Sequence, residues 1–280
     1  MRDIHVSDIT RLVRELVLRA SIEVRDDHRA ALKGALEKEE SPLGGAVLRG
    51  LIANADVAAR ERLPICQDTG YAVVFLELGQ EVHLVGGQLQ RAVDEGVRQA
   101  WAEGYLRPSI VASPLDRNNT GDNTPAFLTI DLVEGAGLRM TVLAKGCGCD
   151  NMSALTMLTP ADGRKGIIDF VVETVRKAGP KASPPVTVGV GLGGTFERAA
   201  LYAKKALIRQ SGQAHPDPAV AGLEAELLSR LNDLGIGPAG FGGRVTALAV
   251  HVETLPTHIA ALPVAVNIDC HSHRVAAGEL

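Results

Sequence analysis

Apolar residues recur at a helical spacing through the first sixty positions and in short strand-length clusters through much of the rest. Ile9, Leu12, Val13, Leu16 and Val17 stand three and four apart and predict a helix over Val6–Ala20, with Ser7 or Asp8 placed to accept from its first amides. Asp26 and Asp27 open a second helix through Leu36, and Ser41-Pro42 a third that passes Leu48, Leu51 and Ile52 to about Arg60. Pro64 closes this block. The run Tyr71–Leu78, ended by Gly79, is a strand with a buried middle. Leu89, Ala92, Val93 and Val97 put a helix over Gly87–Glu103. Ala126–Val133 and Leu138–Ala144 read as a strand pair joined around Glu134–Gly137. Further helices are predicted at Gly163–Lys177, Phe196–Arg209 and Asp217–Leu234, and strands at Val186–Val190, Val245–Val252 and Leu262–Ile268.

Helices first, then strand pairs mixed with strand–helix units, give an α+β (mixed α/β) class rather than a regular doubly wound sheet. The expected organisation is one region over residues 1–280, with a helical part over 1–62 and a mixed part over 63–280. No internal repeat or low-complexity linker breaks it.

Composition narrows the function by exclusion. Hydrophobic residues make up 46% and charged residues 22%, ordinary usage for a globular protein with a core. A net charge of -4 without any basic block gives no electrostatic footprint for nucleic acid, and an aromatic share of 3% gives few surfaces on which bases could stack. No run approaches the roughly 18 apolar residues that span a bilayer, and the N-terminus lacks a signal-peptide pattern. A cytoplasmic protein is expected, in which four cysteines serve as thiols, metal ligands or catalysts rather than disulfides.

The chemistry-bearing residues gather in a few places. Lys145-Gly146-Cys147-Gly148-Cys149-Asp150-Asn151 puts two thiols, two glycines and a cation where a strand stops. Pro64-Ile65-Cys66-Gln67-Asp68-Thr69-Gly70 sets a thiol, an amide and a carboxylate just before a strand; it is either a plain turn with a buried cysteine or a group that orients a small polar substrate. Gly189-x-Gly191-x-Gly193-Gly194-Thr195 lies between a strand and a helix but lacks the spacing of a dinucleotide fingerprint and the lysine of a P-loop. It is a packing turn or a carboxylate-binding one. Asp116–Pro125 is a polar loop long enough to carry function. Cys270-His271-Ser272-His273-Arg274 read alone suggests zinc, yet no C-x2-C pair accompanies it. No G-x-S-x-G elbow is present.

Taken in order, Pro-Ile-Cys66-Gln-Asp-Thr-Gly, Asn119-Thr-Gly-x-Asn123-x-Pro125, Ala-Lys145-Gly-x-Gly148-x-x-Asn151, Pro-Pro185-x-x-Val-Gly-Val-Gly191-x-Gly-Gly194, Leu-Gly235-Ile-Gly237-Pro and Pro-Val-Ala-Val-x-x-x-Cys270 make a set more specific than any member. The chain resembles, from about residue 45 to its end, the α chain of the iron–sulfur hydro-lyases, class I fumarate hydratase and L-tartrate dehydratase. The resemblance implies a 4Fe–4S cluster held by three cysteines, with one iron left open as a Lewis acid for dehydration of a hydroxy-dicarboxylate. It implies Cys66 and Cys270 as two ligands, and Gln67, Asp68, Arg107, Lys145 and Gly148 as substrate-site residues. His258 and Asp68 are implied as catalytic groups, His258 standing twelve residues before Cys270.

Two departures from the family pattern shape the expectations. The family's middle ligand precedes the Pro-Pro pair, and here that position is Ser183, a poor donor for a soft cluster. Cys149, with Cys147 as the alternative, is expected to supply the third thiolate. The family also places its base and further carboxylate-binding residues in a C-terminal domain or separate β chain, so a β-type partner and α–α dimerisation are expected. The rival readings are a paralogue holding another metal such as zinc through Cys147, Cys149, Cys270 and His271 or His273, and a non-catalytic partner subunit.

Overall fold

Each long amphipathic stretch becomes the element that its period predicts, with boundaries moved by no more than three residues. A computed structural model describes residues 1–280. In chain order the elements are β1 (Arg2–His5), α1 (Val6–Ile22), α2 (Asp26–Lys38), α3 (Pro42–Glu61), β2 (Tyr71–Gly79), β3 (Val82–Val85), α4 (Leu89–Glu103), β4 (Phe127–Val133) and β5 (Leu138–Lys145). There follow α5 (Cys147–Asp150), β6 (Ala154–Leu158), α6 (Gly163–Ala178), β7 (Val186–Gly193), α7 (Phe196–Ala206), α8 (Pro218–Asn232), β8 (Ala247–Leu255), β9 (Leu262–Asp269) and β10 (Val275–Glu279). The mixed α+β class is the one expected. The elements that sequence periodicity misses are β1, β3, β6, β10 and the single turn α5, all five residues or shorter.

The chain divides into two units: residues 1–25, 54–146 and 274–280, and residues 26–53 and 147–273. In the first, a four-stranded sheet runs β10-β5-β2-β4, with β1 and β3 pairing separately. Ala72, Val74 and Leu76 of β2 and Leu138, Met140 and Val142 of β5 face one way, under the apolar stripes of α1 and α4. These residues are at most 1% exposed, which makes this layer the core of the unit. At roughly 1.5–3 kcal/mol per fully buried aliphatic side chain, such a layer is the main source of its stability.

One expectation is corrected here. The runs 126–133 and 138–144 do not pair with each other as a hairpin. The strand β2 lies between them, parallel to β4 and antiparallel to β5. The short link Glu134–Gly137 suggested adjacency in space, but β2 carries apolar residues on both faces and takes the central place. The edge strand β4 leaves Phe127, Ile130 and Leu132 largely exposed.

The second unit repeats this topology. Its sheet runs β6-β9-β7-β8, with β7 parallel to β8, antiparallel to β9, and β9 antiparallel to β6. Val186, Val188 and Val190 of β7 face α6 and α8 across a buried aliphatic layer. The opposite face carries Gly189 and Gly191, and α7 packs on it through Ala199 and Ala203. A Cβ at Gly189 would overlap the carbonyl of Ala203, and one at Gly191 the carbonyl of Ala199. The glycine motif therefore serves close helix–sheet packing. Two repeated β-α-β-β arrangements share no visible sequence period, because only strand polarity and burial are repeated.

Gly191→Ala is expected to lower unfolding stability by about 1–3 kcal/mol, the usual consequence of overpacking a filled interior. A lower urea midpoint at an unchanged slope is the measurement that checks it.

Candidate metal and substrate site

Strand polarity decides which loops meet. In the first unit β5 returns antiparallel along β2, so the segment entering β2 (residues 66–70) and the one leaving β5 (residues 145–146) lie at the same end. The start of β4 lies there too, because β4 runs parallel to β2, and so does the start of β10, antiparallel to β5. In the second unit the same logic collects the segment entering β7 (Ser183–Pro185) and the one leaving β9 (Asp269–His273) at one end, with the entry to β6.

At the first of these ends, Arg107 reaches across to the Cys66 loop. Its Nη1 donates to Gln67 Oε1 at 3.2 Å and its Nη2 to Asp68 Oδ1 at 3.3 Å. The segment carrying Arg107 is fixed through its own carbonyl, which accepts from Thr69 Oγ1 at 2.8 Å and from Trp101 Nε1 at 3.2 Å. The polar loop expected to carry function contributes Asn123, fully buried. Its Oδ1 accepts from the amides of Ser109 and Ile110, and its Nδ2 donates to the Gly70 carbonyl. Asn123 thus locks the segment after Arg107 to the Gln67–Gly70 turn. Gly70 has φ 72, and a Cβ there would overlap the carbonyl of Lys145, so only glycine fits.

Two more cations stand at this end. Lys145 is fully buried and Arg274 is 3% exposed. A Cβ at Gly146 would lie 3.1 Å from Arg274 Nη2 and 3.2 Å from Asp68 Oδ2, so the guanidinium and the carboxylate flank that glycine. The Arg107 side chain stays 57% exposed, leaving N–H groups for an incoming acid. Arg274 was visible in the sequence only as the last member of a Cys-His-rich run; burial marks it as part of this end.

At the second unit's end, the thiols of Cys149 and Cys270 and a carboxylate oxygen of Asp269 all lie within 4.8 Å of one another. Cys149 Sγ donates to Asp269 Oδ1 at 3.5 Å, and His273 Nδ1 bonds Asp269 Oδ2 at 2.8 Å. The turn bearing Cys149 is riveted to β9: Asn267 Nδ2 donates to Asp150 Oδ1 at 2.8 Å and to Ser153 Oγ at 3.0 Å, and Lys204 Nζ bonds Asp150 Oδ1 at 2.8 Å. Two thiols and a carboxylate form a donor set suited to iron or zinc. Of the cysteines expected as cluster ligands, Cys149 and Cys270 belong to this group, while Cys66, half-buried in the segment before β2, does not. Cys147 is half-buried on the same turn but is not part of this group.

The remaining expected residues fall as follows. Ser183 is exposed, in the left-handed region at φ 54, and its carbonyl accepts from the His271 amide at 3.3 Å. It borders the Cys270 loop through this backbone bond. Gly148 is exposed, and a Cβ there would meet nothing closer than the Lys181 carbonyl at 4.0 Å, so the fold itself does not demand a glycine. His258 is exposed in the link between β8 and β9, its Nδ1 accepting from the Ala260 amide at 3.2 Å. The twelve-residue spacing to Cys270 does not bring the two together, because most of it is extended strand. Eight strand residues place the two ends of β9 roughly 25 Å apart.

Sequence reasoning also missed His28 and Asp269. His28 sits at helical spacing with the buried Leu32 and Ala35 on α2, and that placement on an apolar face was the available signal. Its Nε2 donates to the His271 carbonyl at 2.8 Å, and its ring lies 4.8 Å from that of His273. Burial holds its pKa down at about 3, with the neighbouring His273 acting in the same direction.

The fold is a mixed α+β scaffold that gathers two thiols and a carboxylate at one strand end of the second unit, and a guanidinium beside an amide and a carboxylate at one strand end of the first. The model of the fumarate hydratase (fumerase) family matches residues 10–279, and the chain belongs to that family. It is 42% identical over 277 residues, covering 96% of both chains, to a Methanocaldococcus jannaschii protein provisionally named as L(+)-tartrate dehydratase subunit alpha. It is 33% identical to the L(+)-tartrate dehydratase subunit alpha of Escherichia coli strain K12, covering 96% of this chain and 89% of that one. No helix is long and apolar enough to cross a membrane.

His28 makes stability depend on pH in a stated direction. Its folded pKa lies below the ordinary value of 6.5, so the unfolded chain binds the extra proton and stability falls as pH drops below 6.5 toward 3. The expected slope is up to about 1.4 kcal/mol per pH unit. Denaturant unfolding between pH 6.5 and 5 is expected to show a shallower slope in His28→Gln than in the wild type.

Proposed function

We propose that the chain is the α subunit of an iron–sulfur hydro-lyase that reversibly removes water from a four-carbon hydroxy-dicarboxylate of the malate or tartrate type. The observation that carries this reading is the gathering of Cys149 and Cys270 beside Asp269 in a chain whose relatives are named tartrate dehydratase α subunits. Cys66, Cys149 and Cys270 are the proposed ligands of a 4Fe–4S cluster, with Cys149 replacing the donor lost at Ser183. When bound, the cluster supplies Lewis acidity at one open iron.

The chain's own residues do the binding. Arg107, held in place through its carbonyl, offers the N–H groups not engaged by Gln67 and Asp68 to one substrate carboxylate. Gln67 and Asp68 fix the guanidinium and present an amide and a carboxylate toward the substrate's hydroxyl side. Asp68 is the one proposed catalytic group at this end. Buried Lys145 and Arg274 add positive potential for a dianion. The open space at Gly148 suits close approach of a ligand to the backbone. A catalytic role for His258, at the far end of β9, calls for a second copy of the chain to present that loop, in keeping with α–α dimerisation. The relatives' designation as α subunits supports a β-type partner that brings the proton-abstracting base. Thiol donors without disulfides suit a cytoplasmic setting.

Anaerobic reconstitution with ferrous iron and sulfide tests the ligand set. Cys149→Ser is expected to lose most of its iron, Cys147→Ser to keep it, and Ser183→Cys to bind at least as much as the wild type. Full iron in Cys149→Ser would remove Cys149 from the ligand set. The purified chain alone is expected to turn over malate or tartrate at least about 100-fold more slowly than with its partner, since a missing general base removes a factor of that order. Full activity of the chain alone would contradict the subunit reading.

A further inference from the structure

We infer that Asp269 is a positioning residue for the Cys149 thiol, and that His273 and His28 exist to hold Asp269 in that task. The inference rests on the reading of Cys149 as a cluster ligand. Asp269 is the last residue of β9 and is 2% exposed, an expensive place for a carboxylate unless both oxygens are engaged. One oxygen accepts from Cys149 Sγ at 3.5 Å and the other meets His273 Nδ1 at 2.8 Å. In the cluster-free chain a carboxylate that turns one oxygen to each neighbour fixes the Cys149 rotamer as well as its depth, so the sulfur is already placed when ligation releases its proton to solvent.

The partners of Asp269 are committed to it. The His273 side chain is fully buried, and its other nitrogen, Nε2, has no hydrogen-bond partner. Besides the Asp269 bond, that imidazole makes ring contact with His28, 4.8 Å away. His28 in turn gives its Nε2–H to the His271 carbonyl and leaves its buried Nδ1 without a partner. Two interior imidazoles with one unused nitrogen each are costly, and the cost is offset by a rigid 270–273 turn behind the carboxylate.

This shell is separate from the rivets that hold the backbone of the thiol turn. Asn267, Ser153, Asp150 and Lys204 fix the path of residues 147–153 on β9 and α7. Asp269 is the group within reach of both thiols. The backbone rivets bring Cys149 to the site, and the carboxylate aims it. Outer groups of this kind, when removed, usually weaken metal binding by 10- to 100-fold.

The test is a chelator challenge after anaerobic reconstitution with ferrous iron and sulfide, reading iron per chain and the decay of the cluster's visible absorption. Asp269→Asn, which can satisfy only one of the two neighbours as an acceptor, is expected to lose iron about 10–100-fold faster than the wild type. Asp269→Glu is expected to recover part of the difference, and His273→Asn to fall between Asp269→Asn and the wild type. In the cluster-free chain, mass-spectrometric peptide mapping after iodoacetamide is expected to show faster labelling of Cys149, but not of Cys147, in Asp269→Asn. The thermal midpoint of that variant checks that the fold is kept; if it does not fold, His273→Asn carries the same two readings.

Wild-type rates of iron loss and Cys149 labelling in folded Asp269→Asn, alongside iron loss in Cys149→Ser, would overturn the positioning role and leave the ligand reading standing. Full iron in Cys149→Ser would overturn both.

Discussion

The antiparallel return of the third long strand along the first is the constraint on which the rest of the structure depends. In each unit it brings the entry to one strand and the exit from another to a single end. Backbone hydrogen bonds enforce this, and the buried aliphatic layers of β2 and β5, and of β7 and β9, fix the register. A slip of one residue would turn those side chains to the wrong face. Segments dozens of residues apart therefore meet because of strand polarity, with no need of a local motif. Arg107 comes to Gln67 and Asp68 on the connection into β4, which runs parallel to β2, and Cys149 comes to Cys270 on the turn into β6, which runs antiparallel to β9.

Around that geometry the protein buries an unusual amount of polarity. Lys145, Arg274, Asp269, His273 and His28 are each at most 3% exposed. A fold selected for stability alone would place aliphatic residues there, since an imperfectly paired interior charge is costly. The cations stand at the Asp68 end of the first unit, and the carboxylate with its imidazoles at the thiol end of the second.

Much of the fold was legible in the sequence. Helical periods over α1, α4, α6 and α8 and the apolar runs of β2, β7 and β9 need no tertiary information, because their burial pattern is written in residue spacing. The pairing of β4 with β5 was misread because a short glycine-rich link says that two strands are consecutive, not that they are neighbours. β6 and β10 escaped because five-residue strands take their stability from partners more than a hundred residues distant, Leu262–Val266 and Arg139–Leu143 respectively. The glycine motif at 189–194 left packing and anion binding both open; only the closeness of α7 decides for packing.

The sequence by itself determined the types of the long elements, the family and the presence of a thiol, an amide and a carboxylate side by side at Cys66-Gln67-Asp68, since these rest on local patterns and ordered motifs. Tertiary structure decided which of those residues act together. It set Cys149, and not Cys147, beside Cys270; it turned Asn123 from a loop residue into a buried clamp; it carried His258 to the far end of β9. It also disclosed Asp269, His273 and His28 as one buried group. The physical reason is the same throughout: residue type fixes what a side chain can do, while strand direction and burial fix which partners it meets.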